Sequence, residues 1–149
     1  MTYQRFVMLA QQMELFRGLD PLDVEKIFTK GQTVSPAKGQ VLFYEGTTGN
    51  TMYVILGGKI SLYDKKKKHL ADLTAGQMFG EMALIEHEPR SATAVATEDS
   101  SLFVMDQTTF ERLMTKRVAI QMALNIVGSL SKRLRAANKK LMELQQQQQ

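Results

Sequence analysis

Residues 33–106 consist of short apolar runs cut at close intervals by glycines and polar turn signals, and this pattern leaves little choice of fold. "GQVLFYEG" and "NTMYVILGGKISLYD" are rich in Val, Ile, Leu and Tyr, and "EGTTGN", "GG" and "DKKKK" bound them. Similar runs follow in "KHLADLTAGQMF", "SATAVATEDS" and "SLFVMD". Each has strand length, and no long helical period intervenes. Consecutive short strands of this kind predict a mainly β fold, an antiparallel β-roll or jelly-roll barrel. The lysine run Lys65–Lys68 falls at a hairpin tip, where it reads as a soluble turn that discourages edge pairing.

Helical segments flank this region. Residues 1–32 read as an N-terminal helical segment. Asp20 is placed to cap a helix, with Pro21 at its first position and Asp23 in its first turn. Leu22, Val24, Ile27 and Phe28 supply an apolar stripe, and Gly31 ends it. Residues 107–144 read as C-terminal helices, and residues 145–149 as a low-complexity glutamine tail. Ile120, Ala123, Val127, Leu130, Leu134, Ala137, Leu141 and Leu144 alternate spacings of three and four, a heptad seam. A helix packed only on its own barrel shows a wider stripe with a period nearer 3.6. The expected role of residues 120–144 is therefore self-association into a homodimer, with Ala123 and Ala137 allowing close approach.

Composition removes several function classes. The chain has 149 residues, 44% hydrophobic and 23% charged, as expected of one soluble globular domain. It has no cysteine, which excludes disulfides, thiolate metal sites and cysteine nucleophiles. The start lacks the apolar core and cleavage site of a signal peptide, and no run approaches the roughly 18 apolar residues of a membrane span. A cytoplasmic location without membrane contact is expected. Net charge is +4, concentrated in residues 111–149, where eight basic residues face two acidic ones. This end reads as a solvated helix face. Its rival, non-specific nucleic-acid binding through Arg112, Lys116, Arg117, Lys132, Arg133, Arg135, Lys139 and Lys140, lacks interleaved aromatics. His69 and His87 form no metal-binding cluster in sequence, and no nucleophile–base pairing stands out. An enzyme is not expected, and no cofactor.

"FGEMALIEHEPRSATA", Phe79 to Ala94, puts a glutamate and an arginine nine residues apart among small and apolar residues. Gly80 permits an unusual backbone angle or a close approach. "EMAL" is long enough for about one helical turn, and a turn opening at a glycine exposes backbone N–H groups that suit an anion. Pro89 restrains the chain before Arg90, whose guanidinium can meet two phosphate oxygens at once. Glu81 would repel a phosphate, so its partner should be a sugar hydroxyl. Taken alone, the two residues are either a surface ion pair or the ends of a site for a small molecule carrying both phosphate and sugar.

Phe79 to Leu84 followed by Pro89 to Thr93 resembles the phosphate-binding cassette of the cyclic nucleotide-binding domain family. That family includes bacterial catabolite activators, protein kinase A regulatory subunits and cyclic-nucleotide-gated channels. "AKGQVLFYEGTTGNTMYVILGGKISLY" is similar to its first glycine-punctuated strands and "LFRGLDPLDVEKI" to its opening helices, so the likeness extends over about residues 13–144. The resemblance implies a short phosphate-binding helix within a cassette at 79–94. It implies that Arg90 pairs with the cyclic phosphate, assisted by backbone N–H groups of Met82, Ala83 and Ala92. Glu81 would accept the ribose 2′-hydroxyl, Gly80 would allow close backbone approach, and Ser91 would touch phosphate or base. Leu62 and Leu73 are its candidates for the apolar wall.

By the same resemblance the C-terminal helix covers the base. "SKRLRAANKKL" places Ala137 and Asn138 where activators carry hydroxyl residues; Ala137 offers no side-chain hydrogen bond, whereas Asn138 can donate and accept. Arg133 or Arg135 could stack over the purine. The implied ligand is cAMP, with cGMP as the alternative. The implied function is a sensor that couples ligand binding to movement of the C-terminal helix and to regulation of a partner protein. Two alternatives stand beside it: a dimeric scaffold with a vestigial pocket, and the sensory fragment of a longer transcription regulator. Activators continue into a winged helix-turn-helix; with none written here, direct DNA control is not expected.

Overall fold

The computed structural model describes residues 3–86, 88–113 and 116–148. His87 lies outside them. The chain opens with α1 (Tyr3–Gln12), a 3₁₀ turn (Glu14–Phe16) and α2 (Pro21–Lys30). The Asp20 carboxylate accepts the Leu22 N–H at 2.9 Å and caps α2, whose Val24 and Ile27 are buried. Leu22 differs from expectation and is exposed. It stands about 140° around the helix from Ile27, outside the buried face. Gly31 does more than end α2: a Cβ there would lie 2.4 Å from the Phe103 ring and 2.7 Å from the Val104 carbonyl.

Eight strands follow: β1 (Gln32–Val34), β2 (Val41–Phe43), β3 (Thr51–Gly57), β4 (Lys59–Tyr63), β5 (His69–Thr74), β6 (Met78–Phe79), β7 (Thr93–Ala96) and β8 (Ser101–Asp106). They form two four-stranded antiparallel sheets, ordered β1-β8-β3-β6 and β2-β7-β4-β5, the roll predicted from the turn spacing. The first sheet is covered on both faces. Met52, Val54, Phe103 and Met105 pack against the helices with Phe16, Ile27 and Met122. Ile55 and Leu102 point between the sheets with Ile60, Leu73 and Phe79. Burial on both sides is why "MYVIL" and "LFVM" read as unbroken apolar runs rather than alternating ones.

The lysine run is the tip of the β4–β5 hairpin. Asp64 holds it, accepting the Lys66 and Lys68 N–H groups at 2.8 and 2.9 Å, while Lys67 takes a positive φ of 63°. Two helices close the chain, α4 (Gln107–Leu113) and the 31-residue α5 (Arg117–Gln147). Ala119, Met122 and Ile126 of α5 are buried against the N-terminal helices. Asn125 donates to the Leu15 and Arg17 carbonyls at 2.7 and 2.8 Å, and Ser129 to the Glu14 carboxylate at 3.0 Å. The first half of α5 is thus pinned to its own domain.

This placement corrects the sequence-derived seam. Ala123 and Leu130 pack partly buried on the domain's own core, while Ile120, Leu124, Val127, Leu134 and Leu141 remain exposed. One helix presents two apolar faces, and a one-dimensional count of threes and fours merges them. No helix among the described residues is long and apolar enough to cross a membrane.

Candidate functional site

β6 ends at Phe79, and the chain turns through Gly80 at φ 73° into a four-residue helix, α3 (Met82–Ile85). Two facts require glycine at position 80. A left-handed backbone penalises any Cβ, and a Cβ there would sit 2.7 Å from Nη1 of Arg90. The return segment is stitched to the β2–β3 loop by paired backbone bonds: Arg90 N–H to Thr47 O and Gly46 N–H to Arg90 O, both 2.8 Å. The cassette is therefore held at both ends before any side chain acts.

Arg90 is only 7% exposed. Nη2 donates to Thr51 O at 2.8 Å and Thr51 Oγ1 at 3.2 Å, and Nη1 donates to Gly80 O at 3.2 Å. Nε is buried without a hydrogen-bond partner. The guanidinium lies 4.2 Å over the Phe43 ring, which leans on Phe79, itself stacked on Tyr53 at 4.8 Å. Burial pulls the Arg90 pKa down, opposed by Tyr53 and Glu81, yet an arginine stays charged at neutral pH. A buried cation with an unused donor is unfinished chemistry, and an anion completes it.

Glu81 is 2% exposed. Its Oε1 accepts Nη1 of Arg133 at 2.6 Å, and Arg133 Nη2 donates to the Met78 carbonyl. Burial raises the Glu81 carboxyl above its ordinary 4.5 even though the Arg133 charge pulls the other way. Desolvation outweighs the ion pair because Arg133, on α5, is about one-third exposed and partly screened by water.

Both groups open onto one cavity of about 230 Å³ between the roll and α5. Of the residues singled out from sequence, Gly80, Glu81, Met82, Ala83, Arg90, Ser91, Ala92 and Leu62 line it. Ser91 and Met82 are exposed, Ala83 and Ala92 buried. The Ala83 N–H already donates to Gly80 O at 3.2 Å, so it is not a free donor here. Leu73 is not on the wall; it is buried between the sheets, its side chain turned into the roll's core. Arg135 and Asn138 are exposed on α5 and do not line the cavity. From α5 the wall comes instead from Leu130 and Arg133, one helical turn nearer the N-terminus. Of the two arginines that the sequence offers for stacking, Arg133 and Arg135, the structure pairs the first with Glu81 and leaves the second exposed.

Sequence reasoning missed Phe43, Thr51 and Gly49. A Cβ at Gly49 would lie 2.6 Å from Nη2 and 2.8 Å from Nε of Arg90, so this loop glycine makes room for the guanidinium. Its only signal in the sequence was its membership of "EGTTGN", which reads as a turn.

A two-sheet roll whose short helical cassette faces a long covering helix is a ligand-binding module. A family model described as "Cyclic nucleotide-binding domain" matches residues 33–117, and the chain belongs to the cyclic nucleotide-binding domain family. It is 33% identical over 131 residues to the cyclic AMP receptor protein of Thermus thermophilus, covering 85% of this chain and 60% of that protein. The crystal structure of the Thermus thermophilus catabolite activator protein is similar at a TM-score of 0.79, 33% identity, 89% of this chain and 63% of that one. Identity is also 33% over 104 residues to a cAMP-dependent protein kinase regulatory subunit of Blastocladiella emersonii, covering 67% of this chain and 26% of the subunit. The chain thus spans about three-fifths of the bacterial relative and a quarter of the kinase subunit.

Proposed function

We propose that this domain is a cytoplasmic, non-catalytic sensor that binds a cyclic mononucleotide, cAMP before cGMP, and transmits binding through α5 to a partner protein. One observation carries the reading: a buried arginine with an unpartnered Nε shares a cavity with a buried carboxylate, so one wall offers an anion site and a hydroxyl acceptor together. Arg90 would meet the cyclic phosphate. Glu81, with Oε1 held by Arg133, would offer Oε2 to the ribose. Similarity to a cyclic AMP receptor of Thermus thermophilus and a cAMP-dependent kinase regulatory subunit of Blastocladiella emersonii favours the adenine nucleotide.

Transmission follows from which atoms touch the cavity. Leu130 and Arg133 are the α5 residues on its wall, and Arg133 grips the same carboxylate that the ribose would use. A nucleotide that alters this contact shifts α5 by no more than its preference for one helix position over another. Association of two copies through the exposed face of α5 would carry the shift outward. Because the chain spans about three-fifths of the Thermus receptor, a second reading makes it the sensory part of a longer regulator.

Calorimetric titration of the purified domain with cAMP and cGMP tests the binding reading. Saturable binding at micromolar concentrations or tighter is expected, with cAMP favoured, and a flat trace for both nucleotides would leave only a scaffold. Gly49→Ala is expected to weaken cAMP binding about tenfold, since the new methyl collides with the guanidinium whose position sets the phosphate contact. Its circular dichroism melt should change far less than its affinity.

A further inference from the structure

The helices pack on the first sheet, and among the described residues none from the second sheet joins that core. Register fixes which side chains stand on the second sheet's outer face. Val41 pairs with Val95 and Tyr63 with Thr93, while their strand neighbours Leu42, Leu62, Ala94 and Ala96 pack between the sheets. Side chains alternate across a strand, so those four residues share the outer side. With Tyr44, which is 61% exposed, they line a groove of about 520 Å³, larger than the cavity at Arg90.

The β4–β5 lysine tip forms one rim of this groove. A solvated turn alone does not call for the geometry found there. Besides the two bonds that Asp64 accepts from Lys66 and Lys68, the Lys67 N–H donates to the Asp64 carbonyl at 3.0 Å. Lys67 is the one non-glycine residue at positive φ among the described residues, a conformation that penalises its Cβ. Strain at a residue that also lines a groove points to a use for its side chain. Lys65 lines the groove too and leans over the β2–β3 loop, where a Cβ at Gly46 would meet its Cε at 4.0 Å. Lys66 and Lys68 stand exposed beside them.

An apolar floor between two tyrosines, under a cationic rim, specifies an apolar side chain flanked by carboxylates. A nucleic-acid strand fits less well. Its phosphates recur at every nucleotide, so one would fall beside Glu45, which also lines the groove. A polypeptide places carboxylates only near the lysines and can turn a backbone N–H towards Glu45. Oε2 of that glutamate has no hydrogen-bond partner, and such a donor would satisfy it.

We infer that this groove docks an extended acidic segment of a partner protein, with one aromatic or aliphatic side chain on Val41 and Val95 and carboxylates at Lys65 and Lys67. It shares no lining residue with the cavity at Arg90, and docking here needs no nucleotide.

The probe is a fluorescein-labelled nonapeptide with phenylalanine at its centre and glutamate elsewhere, titrated with the full chain by fluorescence anisotropy without nucleotide. Saturable binding is expected, weakened at least fivefold when alanine replaces the phenylalanine and at least tenfold by Lys65→Glu combined with Lys67→Gly. Lys67→Gly alone should weaken binding about threefold while the melting temperature holds or rises, since glycine relieves the backbone that lysine strains. A fall in melting temperature without loss of binding would give that lysine to the turn and overturn its place at the groove. Tyr44→Ala should lose at least fivefold in peptide affinity and keep its cAMP affinity within twofold. Binding unmoved both by Tyr44→Ala and by loss of the phenylalanine is attraction to any cluster of lysines, and it overturns the groove. Tighter binding of a fluorescein-labelled nonathymidylate would give the surface to single-stranded nucleic acid, and no saturable peptide binding would overturn docking altogether. A chain that ignores cAMP yet binds the peptide as described would sink the sensor reading and leave this one standing.

Discussion

Arg90→Ala is expected to lower the affinity for cAMP by at least tenfold and towards a hundredfold. A charge-assisted hydrogen bond contributes about 1.5–3 kcal/mol net, and about 1.4 kcal/mol is a factor of ten in binding. The loss is not offset by another cation among the described residues, where Arg90 is the one basic side chain that the cavity holds on the roll side; Arg133, on α5, is committed to Glu81. Arg90→Lys should fall in between. It keeps the charge but not the planar fork that now spans Thr51 and Gly80 while lying over Phe43. Calorimetric titration of the three proteins, each checked by circular dichroism, is the measurement. A Kd for folded Arg90→Ala equal to that of wild type would remove the phosphate assignment.

Arg133→Met is expected to destabilise the fold by about 2 kcal/mol at neutral pH, because it strips a buried carboxylate of its cation. The usual cost of breaking a buried pair is larger, and it is discounted here because the Arg133 side chain is about one-third exposed. The pH dependence has a definite sign. Burial raises the folded Glu81 carboxyl above 4.5, so the fold holds that proton more tightly than the unfolded chain does. Its favourable contribution is complete below pH 4.5 and is lost as pH rises through the folded value. Removing Arg133 raises that value further, so Arg133→Met should approach wild-type stability at pH 5 and diverge from it towards pH 8. Pairing it with Glu81→Gln should restore most of the loss at pH 8. Urea unfolding at the two pH values measures each difference; a penalty for Arg133→Met that is the same at both would show that the ion pair is not its source.

The fold was legible because its signals are local. Turn residues such as Gly58 and Asp64 stop strands where they stand, and Asp20 with Pro21 starts a helix whatever surrounds it. The cassette was legible for a similar reason: Gly80, Glu81 and Arg90 lie within one short segment. Thr51, Phe43 and Gly49 were not, since each matters only through contact with an arginine some 40 residues away in the chain. Leu73 was misjudged because a strand residue's neighbours depend on which sheet covers it.

The amino-acid order alone determined a β-roll with helical flanks and a segment suited to a phosphate and a sugar, because turn chemistry, helix caps and short motifs act between near neighbours. Only the tertiary structure decided how α5 divides its faces, and that Arg133, rather than Arg135 or Asn138, reaches the site. Helical rotation advances about 100° per residue, so which side of α5 meets the roll is set by docking against residues far away in sequence. That same docking buried Glu81 beside Arg133 and left Ile120, Val127, Leu134 and Leu141 exposed.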